Sequence, residues 1–177
     1  MAMTDELQRL LPEVGWIEDR ALREGVLATY TRALAEGGWE PEDMVRIPFT
    51  LLKASGVSYV EHVRAVTRIA RAACDTFQDV FGGRVPLNRD VLLAGALLHD
   101  VGKLVEVEEV GGVFQKSRSG KALRHPFSGA ALAYAAGLPP EVVHIIAVHS
   151  KEGDPYPRSP EAAVVHHADF ITFDAIP

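Results

Sequence analysis

The sequence predicts an all-α protein that carries one small β-hairpin. Three observations support this fold class: apolar residues recur at helical spacing, capping residues and helix breakers delimit these stretches, and strand-like alternation occurs only once. The chain has 177 residues, of which 47% are hydrophobic and 24% are charged. This length supports one full hydrophobic core but not two comfortable ones. We therefore expect a single compact helical domain.

The first half of the chain is predicted to contain three helices. Their bounds follow from caps, prolines and glycines: they run from Thr4 to Pro12, over 17–36, and from Ser58 to Gly82. Between the second and the third, "PEDMVRIP" favours no more than a short helical turn. Residues 1–57 contain no motif that we can interpret. We expect them to form an N-terminal helical extension to a domain over 58–177.

The second half is predicted to contain four helices and the hairpin. The helices begin at Asn88, at Pro126, behind the prolines of "LPPEVVHIIAVHS" and at Ser159-Pro160. The first of them ends at His99-Asp100 and the second at Gly137. In "VEVEEVGGVFQ", a Gly-Gly pair separates two alternating segments, which is typical of a tight turn between two strands.

Charge and cysteine content exclude several classes of protein. The net charge of −6 argues against general nucleic-acid binding, which usually needs a basic surface. The single cysteine, Cys74, excludes an internal disulfide and a thiolate-rich metal site. The first ten residues lack an apolar signal core, and no apolar run is long enough to cross a membrane. We expect a cytoplasmic protein with no membrane partner.

The stretch "LLAGALLHDVGK" ends an apolar helix with adjacent His99 and Asp100. Burying a carboxylate beside an imidazole is unfavourable unless both are compensated. Adjacent helical residues do not share a face, so the pair fits best where the helix ends, and Gly102 supplies that break. These two residues are therefore candidates for a functional site.

Other histidines and one aspartate have the spacing of a shared site. His62, His99, His125 and His149 are separated by 37, 26 and 24 residues, about one helix-loop-helix step each. Antiparallel helices with such connections can bring these positions together in a bundle core. Asp169 on the last helix could complete the set with Asp100. Nitrogen and oxygen donors without thiolates suit divalent iron, manganese, zinc or magnesium.

The three remaining histidines have no independent support as ligands. A buried histidine is more often a hydrogen-bonded structural residue, and we interpret His144, His166 and His167 in this way. His166 lies three residues before Asp169, on the same helical face, and could orient a ligand.

These residues resemble the HD-domain metalloprotein superfamily, named for its adjacent His-Asp metal ligands. The resemblance covers about residues 58–175 and implies an HD-domain helical bundle. It implies one metal ion at His62, His99, Asp100 and Asp169, and a second at His125 and His149, with Asp100 bridging the two. The chain lacks the full Gly-Tyr-Pro signature of the HD-GYP phosphodiesterases and a His-His pair at 149–150. Cleavage of cyclic dinucleotides is therefore not implied, and the RNA-binding module of ribonuclease Y is absent.

Several cations accompany the predicted ligands. Lys103 follows the His-Asp pair, and the resemblance implies that it contacts a substrate phosphate. The segment "QKSRSGKALRH" adds four cations directly before His125, namely Lys116, Arg118, Lys121 and Arg124. A solvated, mobile loop is the simplest interpretation. Beside a metal ligand, and without acidic partners nearby in sequence, an anion-gathering lid is the favoured one.

The favoured function is a metal-dependent phosphohydrolase that acts on a small phosphoester or nucleotide with one or two metal ions. Asp100 and Lys103 are the expected catalytic residues, and the substrate is a small anion. One alternative is a mixed-valent di-iron oxygenase, because myo-inositol oxygenase and phosphonate-cleaving oxygenases share the six-ligand set. A second is a non-enzymatic ligand-binding HD module, which would not need six donors. The sequence leaves a homo-oligomer open.

Overall fold

The structure is a computed structural model that describes residues 3–177. Its helices are α1 (Met3–Leu10), α2 (Arg20–Gly37), α3 (Tyr59–Phe81), α4 (Arg89–Leu98), α5 (Lys103–Glu106), α6 (Arg118–Ala122), α7 (His125–Ala135), α8 (Pro140–Val148) and α9 (Pro160–Ala175). The strands are β1 (Val107–Val110) and β2 (Val113–Lys116). Short 3₁₀ turns cover Pro12–Trp16, Pro41–Val45, Gly82–Arg84 and Lys151–Gly153. The predicted all-α class with one hairpin is confirmed.

The caps expected from the sequence begin the main helices. The Ser58 hydroxyl accepts the Glu61 N–H, and the Glu61 carboxylate accepts the Ser58 N–H, which forms a capping box for α3. The side chains of Asn88 and Ser159 cap α4 and α9 by accepting the N–H groups of Val91 and Ala162. Helix α2 starts at Arg20 rather than at residue 17, because the Asp19 side chain supplies the N-cap.

Helix α4 lies at the centre of the bundle. It packs against α2, α3, α8 and α9, and every residue from 91 to 98 is buried. This explains why the stretch is apolar on all sides rather than on one face. A helix buried in this way delivers the residues at its C-terminal end to the interior, and those residues are His99 and Asp100.

The N-terminal residues 3–57 share the hydrophobic core with the rest of the chain. The Tyr30 hydroxyl donates to the Leu97 carbonyl at 2.5 Å, and Trp39 Nε1 donates to the Leu104 carbonyl at 2.8 Å. Both acceptors flank the His99-Asp100 pair. The extension therefore supports the end of α4 from one side.

The hairpin and the segment after it form the edge of the site. Strands β1 and β2 pair antiparallel with Val110 opposite Val113, and Gly111 and Gly112 take positive φ angles of 59° and 80° in the turn. The segment that follows β2 is the short helix α6, capped by Ser117, rather than the loop expected from the sequence. Within residues 3–177, no helix is long and apolar enough to span a membrane.

Candidate metal centre

The His99-Asp100 pair lies in a tight turn between α4 and α5. Both side chains are buried, and the Lys103 N–H donates to the Asp100 carbonyl at 2.8 Å. Gly102 does more here than end a helix. A Cβ at this position would lie 2.1 Å from the His125 carbonyl oxygen, so only glycine lets the start of α7 approach this closely.

Four of the expected donors form one group. His62 Nε2 from α3 lies 3.3 Å from Asp100 Oδ2 and 3.1 Å from Asp169 Oδ1 of α9. His99 Nε2 lies 3.3 Å from His62 Nε2, 3.5 Å from Asp100 Oδ2 and 3.8 Å from Asp169 Oδ1. The structure therefore brings together side chains from two helices and one turn, the first and last of which are more than 100 residues apart in the sequence.

A second group shares Asp100. His125, the first residue of α7, has its Nε2 3.2 Å from Asp100 Oδ1. His149 follows the last residue of α8, and its Nε2 lies 3.7 Å from the same oxygen and 3.3 Å from His125 Nε2. The two carboxylate oxygens of Asp100 thus face different histidine pairs. Each three-residue set, His62-His99-Asp100 and Asp100-His125-His149, has the spacing of a group that could hold a metal ion.

The outer nitrogen of each ring is held by an acceptor, which fixes the tautomer. Three Nδ1 atoms face groups that only accept: His99 faces the Ala96 carbonyl at 2.7 Å, His149 the Ile146 carbonyl at 2.8 Å, and His125 the Glu106 carboxylate at 3.0 Å. His62 Nδ1 faces the Thr172 hydroxyl at 3.2 Å, and that hydroxyl donates to the Asp169 carbonyl. In the neutral form of each ring, Nδ1 therefore carries the proton and Nε2 directs a lone pair inward.

The donor set fits divalent metal ions. Two lone pairs that face each other at 3.3 Å repel unless a cation lies between them. With metal–ligand bonds of about 2.1 Å, neighbouring ligand atoms lie roughly 3.0–3.4 Å apart in octahedral or tetrahedral sites. Most of the distances across the two groups lie in or near this range. Among the described residues, Asp100 Oδ2 is buried and accepts no hydrogen bond of suitable geometry, and a bound metal ion would satisfy this oxygen.

The carboxylates of the centre are ionised. Burial opposes the charge on Asp100, but the Lys103 ammonium and the facing histidines in their protonated form hold its pKa well below its usual range. Burial likewise opposes the charge on Asp169, and the hydrogen bond from the protonated ring of His62 lowers its pKa to about 2. Both aspartates can therefore serve as anionic ligands without first losing a proton.

Lys103 lies between the centre and a cavity of about 270 Å³. Its Nζ is 2.6 Å from Asp100 Oδ2 and donates to the Phe49 carbonyl at 2.6 Å. The cavity is lined by Pro48, Phe49, Thr50, Leu51, Leu52, Asp100, Lys103, Glu106, Val107, Lys116, Arg124, His125, Ser150, Lys151, Glu152, Asp169, Phe170 and Phe173. Three of the six candidate donors, Asp100, His125 and Asp169, therefore line a common space that could admit a substrate.

The segment 116–124, which we call the basic segment, only partly meets the expectation that its four cations gather the anion. Lys116 and Arg124 line the cavity, whereas Arg118 and Lys121 do not. Arg118 lines a separate cleft, beside Arg32 and Glu36 of α2. Ser117 caps residues 118–122 as the short helix α6, where a mobile lid was expected. Only two of the four cations lie at the cavity.

The cations that do line the cavity have carboxylate partners distant in sequence. Arg124 donates to Glu106 at 2.7 Å and to Glu152 at 2.9 Å, and Lys116 Nζ lies 3.5 Å from Glu106. Glu106 also accepts the backbone N–H of His125 at 2.7 Å. Sequence reasoning missed this residue because its setting, "VEVEEV", looks like an exposed strand edge.

The other three histidines contact the backbone or solvent. His144 Nε2 accepts the Ser159 N–H at 3.2 Å, where α9 begins. His166 Nδ1 lies 2.6 Å from the His149 carbonyl, so it supports the turn that carries a candidate ligand rather than Asp169 itself. His167 is exposed. The residues of the N-terminal extension that line the cavity, such as Phe49, were also missed, since no local motif marks them.

Comparisons with known proteins identify relatives of this chain. The family model for the HD domain matches residues 59–174. The chain is 32% identical over 172 residues to the dihydroneopterin 2′,3′-cyclic phosphate phosphodiesterase of Methanocaldococcus jannaschii, and the match covers 92% of this chain and 67% of the relative. No solved structure matches the chain significantly.

Proposed function

The chain belongs to the HD domain family, and on this premise we propose that it hydrolyses a small phosphodiester, with a cyclic phosphate the favoured substrate. Its family and its relative make it a metal-dependent phosphohydrolase. The proposal adds the ligand set, the number of metal ions and the substrate. The proposed ligands are His62, His99, Asp100, His125, His149 and Asp169.

The observation that carries the proposal is the position of Asp100 between two histidine pairs. One oxygen faces His62 and His99, and the other faces His125 and His149. Each histidine pair would hold one divalent metal ion, and Asp100 would contribute one oxygen to each. Bound divalent ions would supply a water with a lowered pKa and would offset charge on the phosphoester.

The remaining side chains bind and orient the substrate. Lys103 and Arg124 line the cavity beside the donor set, and they are proposed to hold the non-bridging phosphate oxygens. Asp100 and the four imidazole rings are not proposed to donate or accept protons during the reaction. The Nδ1 proton of each ring is already held by a hydrogen-bond acceptor. In the reaction, the oxygen of water bonds to phosphorus and the water loses one proton. One P–O ester bond breaks, and the released alkoxide takes up one proton, so that the protons balance.

The charge around the cavity depends on the metal. The lining holds four cations, Lys103, Lys116, Arg124 and Lys151, and four carboxylates, Asp100, Glu106, Glu152 and Asp169. Without metal the two sets balance, so the basic segment alone gives no net attraction for an anion. Divalent ions would make the lining positive and would favour a phosphate.

The favoured substrate follows from the relative. That protein is named for hydrolysis of a 2′,3′-cyclic phosphate, and a cyclic phosphodiester is small enough for a cavity of about 270 Å³. The test is to purify the protein, load it with Fe²⁺, Mn²⁺, Zn²⁺ or Mg²⁺, and assay cyclic phosphodiesters and phosphomonoesters beside a phosphonate under dioxygen. Hydrolysis of the diesters supports the proposal. Dioxygen-dependent cleavage of the phosphonate without hydrolysis would instead establish the oxygenase alternative.

A further inference from the structure

The cavity beside the candidate metal centre has an apolar side opposite its charged side. Five of its lining residues are large and apolar: Phe49, Leu51 and Leu52 before α3, and Phe170 and Phe173 on α9. We call these five side chains the wall. A site for phosphate alone would not need such an apolar surface. The arrangement instead resembles ligand sites in which apolar side chains enclose a ligand and a few polar groups orient it.

The segment 48–58, which we call the strap, is tied at both ends and in the middle. Pro48 and Ser58 form an isolated antiparallel bridge, and the Phe49 N–H donates to the Val57 carbonyl at 3.1 Å. Lys53 Nζ donates to the carbonyls of Phe173 at 2.5 Å and Ile176 at 2.6 Å. These contacts fix the strap against the end of α9.

The tip of the strap exposes apolar surface to the cavity. Leu52 is 83% exposed and Leu51 is 39% exposed, although both line the cavity. An isolated exposed leucine is ordinary. Here the two leucines share the cavity with the half-buried Phe170 and Phe173, so an apolar group placed there would remove several apolar surfaces from water at once.

Helix α9 links the apolar wall to the metal donors. Asp169 and Phe173 are four residues apart and therefore share a face of the helix. The Phe173 ring lies 6.0 Å from the Phe49 ring, and Phe49 lies 4.9 Å from the His62 ring. A phosphoester held at the donors therefore has its organic group beside the wall.

We propose that Leu51, Leu52, Phe170 and Phe173 are specificity-determining residues that bind a flat aromatic ring carried by the phosphoester. Stacking and apolar contact favour a planar ring over a short aliphatic group of similar charge. A cavity of about 270 Å³ lies near the lower end of typical ligand sites, which are about 300–1,000 Å³, so one small ester is favoured over a polymer. This inference rests on the proposed function.

The test compares two cyclic phosphodiesters that differ in the ring: adenosine 2′,3′-cyclic phosphate and propane-1,2-diol cyclic phosphate. For the metal-loaded protein we expect kcat/KM to be at least tenfold higher with the adenosine compound. In Leu52→Ala this ratio should fall to threefold or less. Because Leu52 is so exposed, the substitution leaves folding intact. Phe170→Leu, which keeps an apolar side chain but removes the ring, should lower the ratio in the same direction.

The matched control is Ile171→Ala on the same helix, because Ile171 is 55% exposed and does not line the cavity. Its ratio should equal that of the unchanged protein. Equal turnover of both compounds by the unchanged protein, or a ratio that neither Leu52→Ala nor Phe170→Leu lowers, would overturn the inference.

Turnover of neither compound would contradict the proposed function and leave the wall to be tested by binding. Calorimetry would then compare adenosine 2′-monophosphate with glycerol 2-phosphate. The wall predicts at least tenfold tighter binding of the adenosine compound and loss of that preference in Leu52→Ala. Equal dissociation constants would refute it.

Discussion

Glu106 binds His125 twice, through the backbone N–H at 2.7 Å and through the ring Nδ1 at 3.0 Å. It also accepts from Arg124 at 2.7 Å. One buried carboxylate therefore orients a candidate ligand and a candidate phosphate-binding cation. A carboxylate that accepts from the outer nitrogen of a ligating histidine fixes the ring and raises its basicity.

We predict that Glu106→Gln weakens the second metal site. The amide keeps the volume but removes the charge that His125 and Arg124 face, so metal affinity or activity should fall by about 10- to 100-fold. Metal titration by calorimetry and steady-state assays would measure both. Glu108→Gln in the adjacent strand is the control, because Glu108 bonds only Gln115 among the described residues. Equal metal affinity in the two variants would contradict the role of Glu106.

The second prediction concerns the number of metal ions. If the two histidine pairs hold separate ions, His125→Ala and His149→Ala should each remove about one metal equivalent and most activity, with the fold largely intact. Elemental analysis of purified variants would count the metal, and circular dichroism would report the fold. The His144→Ala variant is the comparison, because His144 contacts the start of α9 and not the centre. Retention of two metals per chain in both ligand variants would show that His125 and His149 are structural.

Much of the fold and of the donor set could be predicted from the sequence because the signals are local. Ser58, Asn88 and Ser159 cap helices through bonds to residues three positions away, so each start is encoded within one turn. The His-Asp pair was recognisable since two polar residues ended an apolar run. The convergence expected of the four histidines and two aspartates agrees with the distances in the structure.

The environment of the site could not be predicted because it depends on tertiary contacts. Arg124 pairs with Glu106 and Glu152, which lie 18 and 28 residues away, and no local pattern links them. Whether a cation in "KSRSGKALR" faces the cavity depends on how α6 packs. The strap lines the cavity through Phe49 and Leu52, which in sequence look like parts of an ordinary connection.

The third prediction concerns acid stability. Burial opposes ionisation of Glu152, but hydrogen bonds from Ser150 and Arg124 lower its pKa from 4.5 to about 2. The unfolded chain therefore binds this proton more tightly than the folded protein does. The carboxylate stabilises the fold above pH 4.5, and that contribution is lost as the pH falls towards 2. The difference in Tm between the unchanged protein and Glu152→Gln should be largest near pH 6 and narrow towards pH 3.

Thermal unfolding at intervals between pH 3 and pH 6 would measure this difference. Glu141→Gln is the control, since Glu141 is exposed in the first turn of α8 and such a charge contributes little. A Tm difference for Glu152→Gln that stays constant across the range would show that the carboxylate's charge does not stabilise the fold.

The last prediction separates the two cations that line the cavity in the basic segment from the two that do not. Arg124 is fixed by Glu106 and Glu152 at the cavity wall. Arg124→Gln should raise KM for a phosphodiester more than tenfold, which corresponds to at least about 1.4 kcal/mol. The effect should shrink at high salt, where screening weakens attraction for the anion. Steady-state kinetics at low and high ionic strength would measure it.

In the double variant Arg118→Gln/Lys121→Gln, KM should stay within about twofold, because neither residue lines the cavity and exposed charges at a distance are screened. A tenfold rise in the double variant would restore the sequence-based view that the whole segment gathers the anion.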